Sequence, residues 1–407
     1  MTTDFGRREF LERLGIGTAG MLLGGYQASA AGLPANETVH IGLIGTGGRC
    51  SHLMNSFPAL PGVKVAAVCD VWDVALDHGK TFADSSAQVT KHYQEVLNNK
   101  DVDAVLIATP DHLHVPITIA ACQAGKDVYV EKPFTHDLIE GQAAIDAQAK
   151  SGCVVQVGMQ QRSMPHLIEA NEIVKSGILG PIRKVHLTWN RNSGPVPKAT
   201  YNIPPETVEW KEFLGNAKDR PFDAYQLRNW RFFWDFGGGV FTDLLVHYVD
   251  VAHWFLGLEH PDNAASIGNW FTKKGEWETP DTVQTLLQYG NPEVQVYFEG
   301  TFFNARNRAM MEYMGSEATL YCDRGRYEIH PEPESKLEYK ELVLGSGVRG
   351  ADFYDKPDGE LLHLNNWLEC IRSRKTPNAP VEAGVHSASA AHMANKALRE
   401  NAVAKWG

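Results

Sequence analysis

The residues of this chain best suited to do chemistry fall in two distant motifs. VYVEKPF carries Glu131 and Lys132, and GGGVFTDLLVHYVD carries Asp243 and His247. At i and i+4 on a helix, an aspartate and a histidine share one face and can converge on one small target. An imidazole takes a hydroxyl proton near neutral pH, an ammonium stabilises a developing alkoxide, and a carboxylate orients or shares the proton. That set suits oxidation of a carbinol carbon, a reaction that needs a hydride acceptor. Each residue also has an ordinary structural reading, Lys132 as a solvated charge and Asp243 with His247 as a helix-surface pair.

The acceptor site is legible upstream. VHIGLIGTGGRC places Gly45, Thr46, Gly47, Gly48 and Arg49 directly after an apolar run and ahead of a helical stretch. Glycines at such a turn let backbone approach a pyrophosphate at a helix N-terminus. Asp70 ends the next apolar run, where an acid accepts hydrogen bonds from ribose hydroxyls, and it also fits a helix cap. No basic residue immediately follows Asp70, so NAD is favoured over NADP. Cys50 stands where the third glycine of the fingerprint falls; it is small enough to substitute with some loss of helix–strand fit.

These motifs need elements to carry them. Val39–Ile44, Val63–Val68, Ala104–Ala108, Val128–Val130 and Val154–Val157 read as buried strands, with helices at Ile117–Ala124 and Leu138–Ala149. Such alternation predicts a Rossmann-type α/β domain over 36–160. From about Pro181 the runs Ile182–Trp189, Ala265–Phe271, Thr282–Tyr289, Val294–Thr301, Arg308–Gly315 and Ala318–Cys322 alternate as half-buried strands do. They predict an α+β domain over 161–355, with an open, mostly antiparallel sheet and a helix at Thr242–Phe255. Leu361–Ser373 and Val385–Ala402 read as helices within a C-terminal segment, 356–407, expected to pack back on the first domain. QLRNWRFFWDF offers Arg228, Trp230 and Arg231, whose guanidinium forks and ring face suit a polyhydroxy ring. Packing behind the Asp243 helix explains them equally well.

Composition narrows the partners. The net charge of −11 disfavours nucleic acid and anionic membranes. Cysteines are scattered singly through apolar segments with no metal-ligand spacing, so no metal is expected and the thiols read as buried and free. In GRREFLERLGIGTAGMLLGGYQASAAG, paired Arg7 and Arg8 precede an apolar run and a small-residue Ala28-Ser29-Ala30 site. This reads as a twin-arginine export signal over 1–31 and a periplasmic or extracellular location. That route carries folded proteins, and free NAD is scarce outside the cytoplasm, so a tightly held cofactor is expected. An uncovered sheet face predicts a homodimer or homotetramer.

The ordered set of EKP, GGGxxxDxxxH, ATPDHLH at Ala108–His114, VGMQQR at Val157–Arg162 and HLNNWLECIRSRKTP resembles the glucose–fructose oxidoreductase and inositol dehydrogenase (Gfo/Idh/MocA) family. The resemblance covers essentially all of the chain after the signal. It implies Lys132, Asp243 and His247 as the catalytic group. It also implies Thr109 and Pro110 lining the cofactor with His114 just beyond, and Gln160 and Arg162 near nicotinamide and substrate. Many members carry Gly where this chain has Leu245, which would reshape the pocket floor. The implied activity is hydride transfer between NAD and a sugar or polyol. A redox-assisted glycoside hydrolase or lyase is the alternative, and a non-catalytic sugar-binding scaffold a third.

Overall fold

The computed structural model describes residues 38–193, 199–350 and 358–407. The segment read as an export signal lies outside them. In chain order the first domain runs β1 (Val39–Ile44), α1 (Gly48–Met54), β2 (Val63–Cys69), α2 (Asp73–Lys80), β3 (Gln88–Thr90), α3 (Tyr93–Asn98), β4 (Ala104–Ile107), α4 (His114–Gln123), β5 (Asp127–Val130), α5 (Gly141–Ser151) and β6 (Val155–Val157). Its strands form one parallel sheet ordered β3-β2-β1-β4-β5-β6. β4 and β5 are buried along their whole length, which is why they read as unbroken apolar runs rather than alternating ones. The strand order reverses between β1 and β4, so the turns that follow these strands diverge and leave a crevice at the carboxyl end of the sheet. The short β3 and helix α3 were not among the expected elements, because each is brief and carries polar side chains.

Gly45 shows how tightly the crevice is built. Its φ is +83°, and a Cβ there would stand 2.8 Å from the backbone of Ala108 and Thr109. Gly45→Ala is therefore expected to cost about 1–3 kcal/mol through strain and to open the β1 and β4 turns. Thermal unfolding and NAD titration of the variant check this. Unchanged stability and affinity would contradict it.

The second domain opens with α6 (Pro165–Lys175) and β7 (Lys184–Asn190), then α7 (Trp210–Leu214) and α8 (Ala224–Asn229). A π-helical turn at Phe241–Leu245 leads into α9 (Val246–Leu256). Then follow β8 (Asn263–Asn269), β9 (Thr282–Gly290), β10 (Glu293–Thr301), β11 (Ala309–Met314), β12 (Ala318–Cys322), β13 (Arg326–Pro331) and β14 (Lys340–Val343). The chain closes with α10 (Gly359–Ser373), α11 (Val381–Glu400) and β15 (Ala404–Lys405). Nine strands join in the order β14-β13-β12-β11-β7-β10-β9-β8-β15, antiparallel except for β7 beside β10. One face buries Val185, Leu187, Val296 and Phe298 against Leu167, Tyr248 and Ala394 of the helices. On the other face Leu286 and Ile267 stay exposed. Strand β13, where Tyr327 and Ile329 alternate with Arg326, Glu328 and His330, was not among the expected strands.

The C-terminal helices divide their packing. Helix α10 buries Leu364, Trp367 and Leu368 in the first domain. Helix α11 starts there with Val381 and continues into the second core with Ala390, Ala394 and Ala397. All six cysteines are buried and unbridged.

Candidate active site

A cavity of about 560 Å³ runs from the β1 turn to the π-helical turn, lined by Gly45 and Asp70 at one end and by Lys132, Asp243 and His247 at the other. The glycine loop contributes open backbone: a Cβ on Gly47 or Gly48 would meet nothing within 4 Å. Asp70 is held by the glycine turn and by its own strand end, accepting the Thr46 N–H at 2.7 Å and the Trp72 N–H at 2.9 Å. Burial pushes its pKa up and these donors pull it down. Each carboxylate oxygen keeps acceptor capacity toward the cavity. Open glycine backbone at a sheet's carboxyl end, with an acid on the neighbouring strand, fits a dinucleotide.

Glu131 and Lys132 leave the end of β5 in opposite directions. The Glu131 carboxylate accepts from Arg49 Nε at 2.7 Å, and Arg49 also reaches Glu360 on α10 at 3.3 Å. Gln160 donates to the same Glu360 oxygen at 3.3 Å. Arg49, Glu131, Gln160 and Glu360 thus tie the glycine loop, the EKP turn and the C-terminal helix together around the cavity. Lys132 Nζ points across to the second domain, donating to the Asp243 backbone carbonyl at 2.7 Å and to Oδ1 at 3.1 Å.

Asp243 sits in the π-helical turn, not in a regular α-helix as expected. Such turns recur at functional sites, and here both Asp243 and His247 line the cavity. Burial favours the neutral acid, but the charges of Lys132, Arg231 and Arg191 win and hold Asp243 at about 2. His247 is buried beside Trp189, ring centroids 5.3 Å apart. Burial first, then Lys132, Arg324, Arg49 and Arg191, drive its pKa well below the ordinary value. Its ring is neutral at neutral pH and able to accept a proton. Gln161 Nε2 steadies it by donating to the His247 carbonyl at 3.1 Å.

Glycines let the 226–236 segment come this close. A Cβ on Gly237 would lie 2.9 Å from the Arg231 backbone, and Gly239 has φ +64° with Thr279 against it. The segment's return brings Arg231 Nε to 3.4 Å from Asp243 Oδ1, its guanidinium carbon 4.2 Å from the centroid of the Trp230 ring.

Most residues singled out from sequence line this cavity: Gly45, Gly47, Gly48, Arg49, Asp70, Thr109, Pro110, His114, Glu131, Lys132, Gln160, Arg228, Trp230, Arg231, Asp243 and His247. Four are placed differently from expectation. The Thr46 side chain turns inward, donating to the Ala75 carbonyl at 2.7 Å. Arg162, expected at the substrate, lies outside the lining and forks onto buried Asp250 at 2.9–3.1 Å, a pairing that satisfies a buried carboxylate. Arg228 sits at the Asp70 end, its guanidinium 5.2 Å over Trp72 and 5.7 Å over Tyr201, away from Lys132. His114 braces the cavity wall. Its ring nitrogens lie 2.7 Å from the Pro133 carbonyl and 2.9 Å from that of Thr109. Burial lowers its pKa, so the neutral ring donates to one of them. Leu245, expected to reshape the pocket floor, is wholly buried in the second core; Leu244 lines the cavity instead.

Sequence reasoning missed Asp111, Arg191 and Arg324. Asp111 lies within the quoted ATPDHLH stretch, next to residues that were chosen. Burial raises its pKa well above the ordinary carboxylate value, against the charges of Lys132 and Arg231. Arg191 and Arg324 follow strand ends and have no spacing signal; only the fold brings them to His247.

Fold and site together define a dinucleotide-dependent oxidoreductase with a separate C-terminal α/β domain. Residues 39–159 match the model of the Gfo/Idh/MocA oxidoreductase family's NAD-binding Rossmann fold, and 171–405 match that family's C-terminal α/β domain. The chain belongs to this family, and its first domain is an NAD-binding Rossmann domain. It is 23% identical to scyllo-inositol 2-dehydrogenase (NAD(+)) of Bacillus subtilis over 80% of this chain and 84% of that protein. It is 30% identical to a glycosyl hydrolase family 109 protein of Parabacteroides distasonis, over 43% of this chain and 42% of that protein. The match to the Bacillus subtilis oxidoreductase YrbE, 26% identical, spans 58% of this chain and 61% of that protein. A solved structure of levoglucosan dehydrogenase with NADH and levoglucosan superposes with a TM-score of 0.71, over 90% of this chain and 99% of that one, at 18% identity.

Proposed function

We propose that the protein transfers hydride between NAD and a hydroxyl-bearing carbon of a sugar or polyol. One observation carries this reading: Lys132, anchored on Asp243, and a neutral His247 meet in the same cavity that runs to Gly45 and Asp70. Bound NAD supplies the hydride acceptor, or the donor in the reverse direction. An ammonium has three donors; Asp243 takes two from Lys132 and leaves one for the substrate oxygen. His247 takes the hydroxyl proton while the Lys132 charge stabilises the alkoxide that forms. Asp243, ionised throughout the neutral range, keeps the ammonium in place. Arg231 and Trp230 present a donor fork and a ring face to the substrate. The inositol and levoglucosan dehydrogenases among its relatives support a polyhydroxy substrate.

The pH profile tests the base. His247 is held neutral by burial and by surrounding cations, so it stays a competent base as pH falls through the ordinary histidine range. The acid limb of kcat/KM for oxidation is expected below pH ~6.5. A limb centred at or above that value would show that another group takes the proton.

Retention of the cofactor and self-association belong to the same proposal. Residues 205–236 lie along the rim of the crevice: Val208, Phe213, Leu227 and Phe236 pack with Val71 and Trp72. The Glu209 N–H also donates to the Val71 carbonyl at 2.8 Å, and His112 Nε2 lies 2.9 Å from the Phe213 carbonyl. That cover supports a tightly held NAD, which suits export of the loaded protein through the signal read at 1–31. A second copy is the proposed cover for the sheet face carrying Leu286 and Ile267. Gel filtration reads both: NAD is expected to travel with the protein in near equal amount, at a mass above that of one chain. Apo-protein eluting as a monomer would contradict both.

The family 109 relative favours a second reading, redox-assisted glycoside cleavage. Transient oxidation acidifies a neighbouring C–H, a glycosidic group is eliminated, and the returned hydride restores the alcohol. Aryl glycosides discriminate the readings, because only the second releases aglycone without net oxidation.

A further inference from the structure

Two of the six buried cysteines meet. Cys122 lies in the last turn of α4 and Cys153 just before β6, 31 positions apart in sequence. Their thiols are within hydrogen-bond reach of each other, and Cys153 Sγ is 3.9 Å from the Cys122 carbonyl oxygen. Both belong to one core with Ala121, Val128 and Val155. No other two cysteines show such a contact among the described residues. The backbone on each side is pinned. The Cys153 N–H donates to Ser151 Oγ at 3.2 Å and its carbonyl accepts from Gln148 Nε2 at 2.8 Å, while the Cys122 carbonyl accepts the Gly125 N–H at 3.0 Å.

The pair divides the roles that disulfide formation needs. Donation from the Cys122 S–H outweighs burial, with help from the Ser151 hydroxyl, and brings the Cys153 thiol down to about 6. Cys122, the donor, is driven up by the same hydrogen bond and by burial. A thiolate is the attacking form of cysteine, so Cys153 is the nucleophile and Cys122 the resolving thiol. An S–S bond of about 2.05 Å then needs the two sulfurs only to close up from hydrogen-bond range. Cys153 follows exposed Ser151 and Gly152, so a small oxidant approaches from that turn.

We propose that Cys122 and Cys153 are a disulfide site, closed by exchange with a disulfide-bearing oxidant, that staples α4 to the start of β6. The Cys153 sulfur attacks one sulfur of the oxidant and expels the other as a thiolate. Cys122 gives its proton to that leaving group, attacks the Cys153 sulfur and releases the second oxidant thiol. Two protein thiols are oxidised, and one oxidant disulfide is reduced to two thiols. Disulfides persist in oxidising compartments, the kind to which the export proposed above would carry the folded chain. Cys122 and Cys153 precede β5 and β6 and so lie at the amino end of the sheet, opposite the cofactor crevice. The staple therefore does not rest on the oxidoreductase reading.

Free thiols are counted on the native protein before and after treatment with 2-hydroxyethyl disulfide. Iodoacetamide is added under denaturing conditions, and the peptides are read by mass spectrometry. Oxidation is expected to protect two of the six thiols and to yield a Cys122–Cys153 peptide pair lighter than its reduced form by two hydrogens. Dithiothreitol should restore all six. Cys122→Ser should stop at a mixed disulfide on Cys153, whereas Cys153→Ser should stay unmodified. The bridged protein is expected to unfold about 5 °C above the reduced one, a shift that both variants lose. Six labelled thiols after oxidation, a bridge between other cysteines, or a wild-type protein that halts at the mixed disulfide would each overturn the proposal, whether or not the variants fold. A bridge that leaves the unfolding midpoint unchanged would overturn the stapling role.

Discussion

Replacing His247 with alanine is expected to lower turnover by about a hundredfold or more while NAD stays bound. The histidine is held in its neutral form by burial and by Lys132, Arg324, Arg49 and Arg191. Losing it removes the only neutral imidazole placed beside Lys132 and Asp243 among the described residues, apart from His114, whose ring nitrogens face the Pro133 and Thr109 carbonyls. The glycine loop and Asp70 stand at the other end of the cavity, so cofactor content should not change. Steady-state turnover beside a count of bound NAD measures both. A His247→Ala protein that turns over at the wild-type rate would show that the Asp243–His247 face is structural.

The second large effect is expected at Lys132. Lys132→Ala removes the one ammonium that donates to both the backbone and the side chain of Asp243. Loss of a donor aimed at developing charge costs about 10²–10³ in turnover. Asp243 also loses its strongest cationic partner, so its pKa rises from about 2. Arg231, at 3.4 Å, still keeps it ionised near neutrality. The fold should therefore survive, and the loss should appear in kcat with little change in thermal unfolding. A large drop in stability with full activity in the surviving protein would instead assign Lys132 to holding the domains together.

How far the site was legible in sequence follows from how each residue reaches it. Gly45, Asp70 and Lys132 each sit at the end of a strand whose apolar run is plain, so their common edge follows from the parallel sheet. Asp243 and His247 were read as one helical face. The structure keeps them on one cavity wall but through a π-helical turn at Phe241–Leu245, which spacing alone does not reveal. Arg162 was expected at the substrate only through the family resemblance of VGMQQR. Its partner Asp250 is far along the chain and became visible only when α9 packed beside it. Arg191 and Arg324 come from turns of the second sheet, and nothing local marks them. The second sheet's alternating strands were legible to within one or two residues, whereas β13 was passed over although Tyr327 and Ile329 face the core, its other face being the buried pair Arg326 and Glu328 at 3.0 Å.

The most direct measurement follows a labelled hydrogen. NAD-loaded protein is given a sugar or polyol bearing deuterium on its carbinol carbons, and the cofactor and the sugar are recovered separately after one turnover. Hydride transfer to NAD with His247 taking the hydroxyl proton predicts deuterium on the reduced cofactor and a carbonyl on the recovered sugar. Lys132→Ala and His247→Ala should suppress both together. Deuterium that never leaves the sugar, or that returns to the same molecule only as an aryl glycoside sheds its aglycone, would contradict net oxidation.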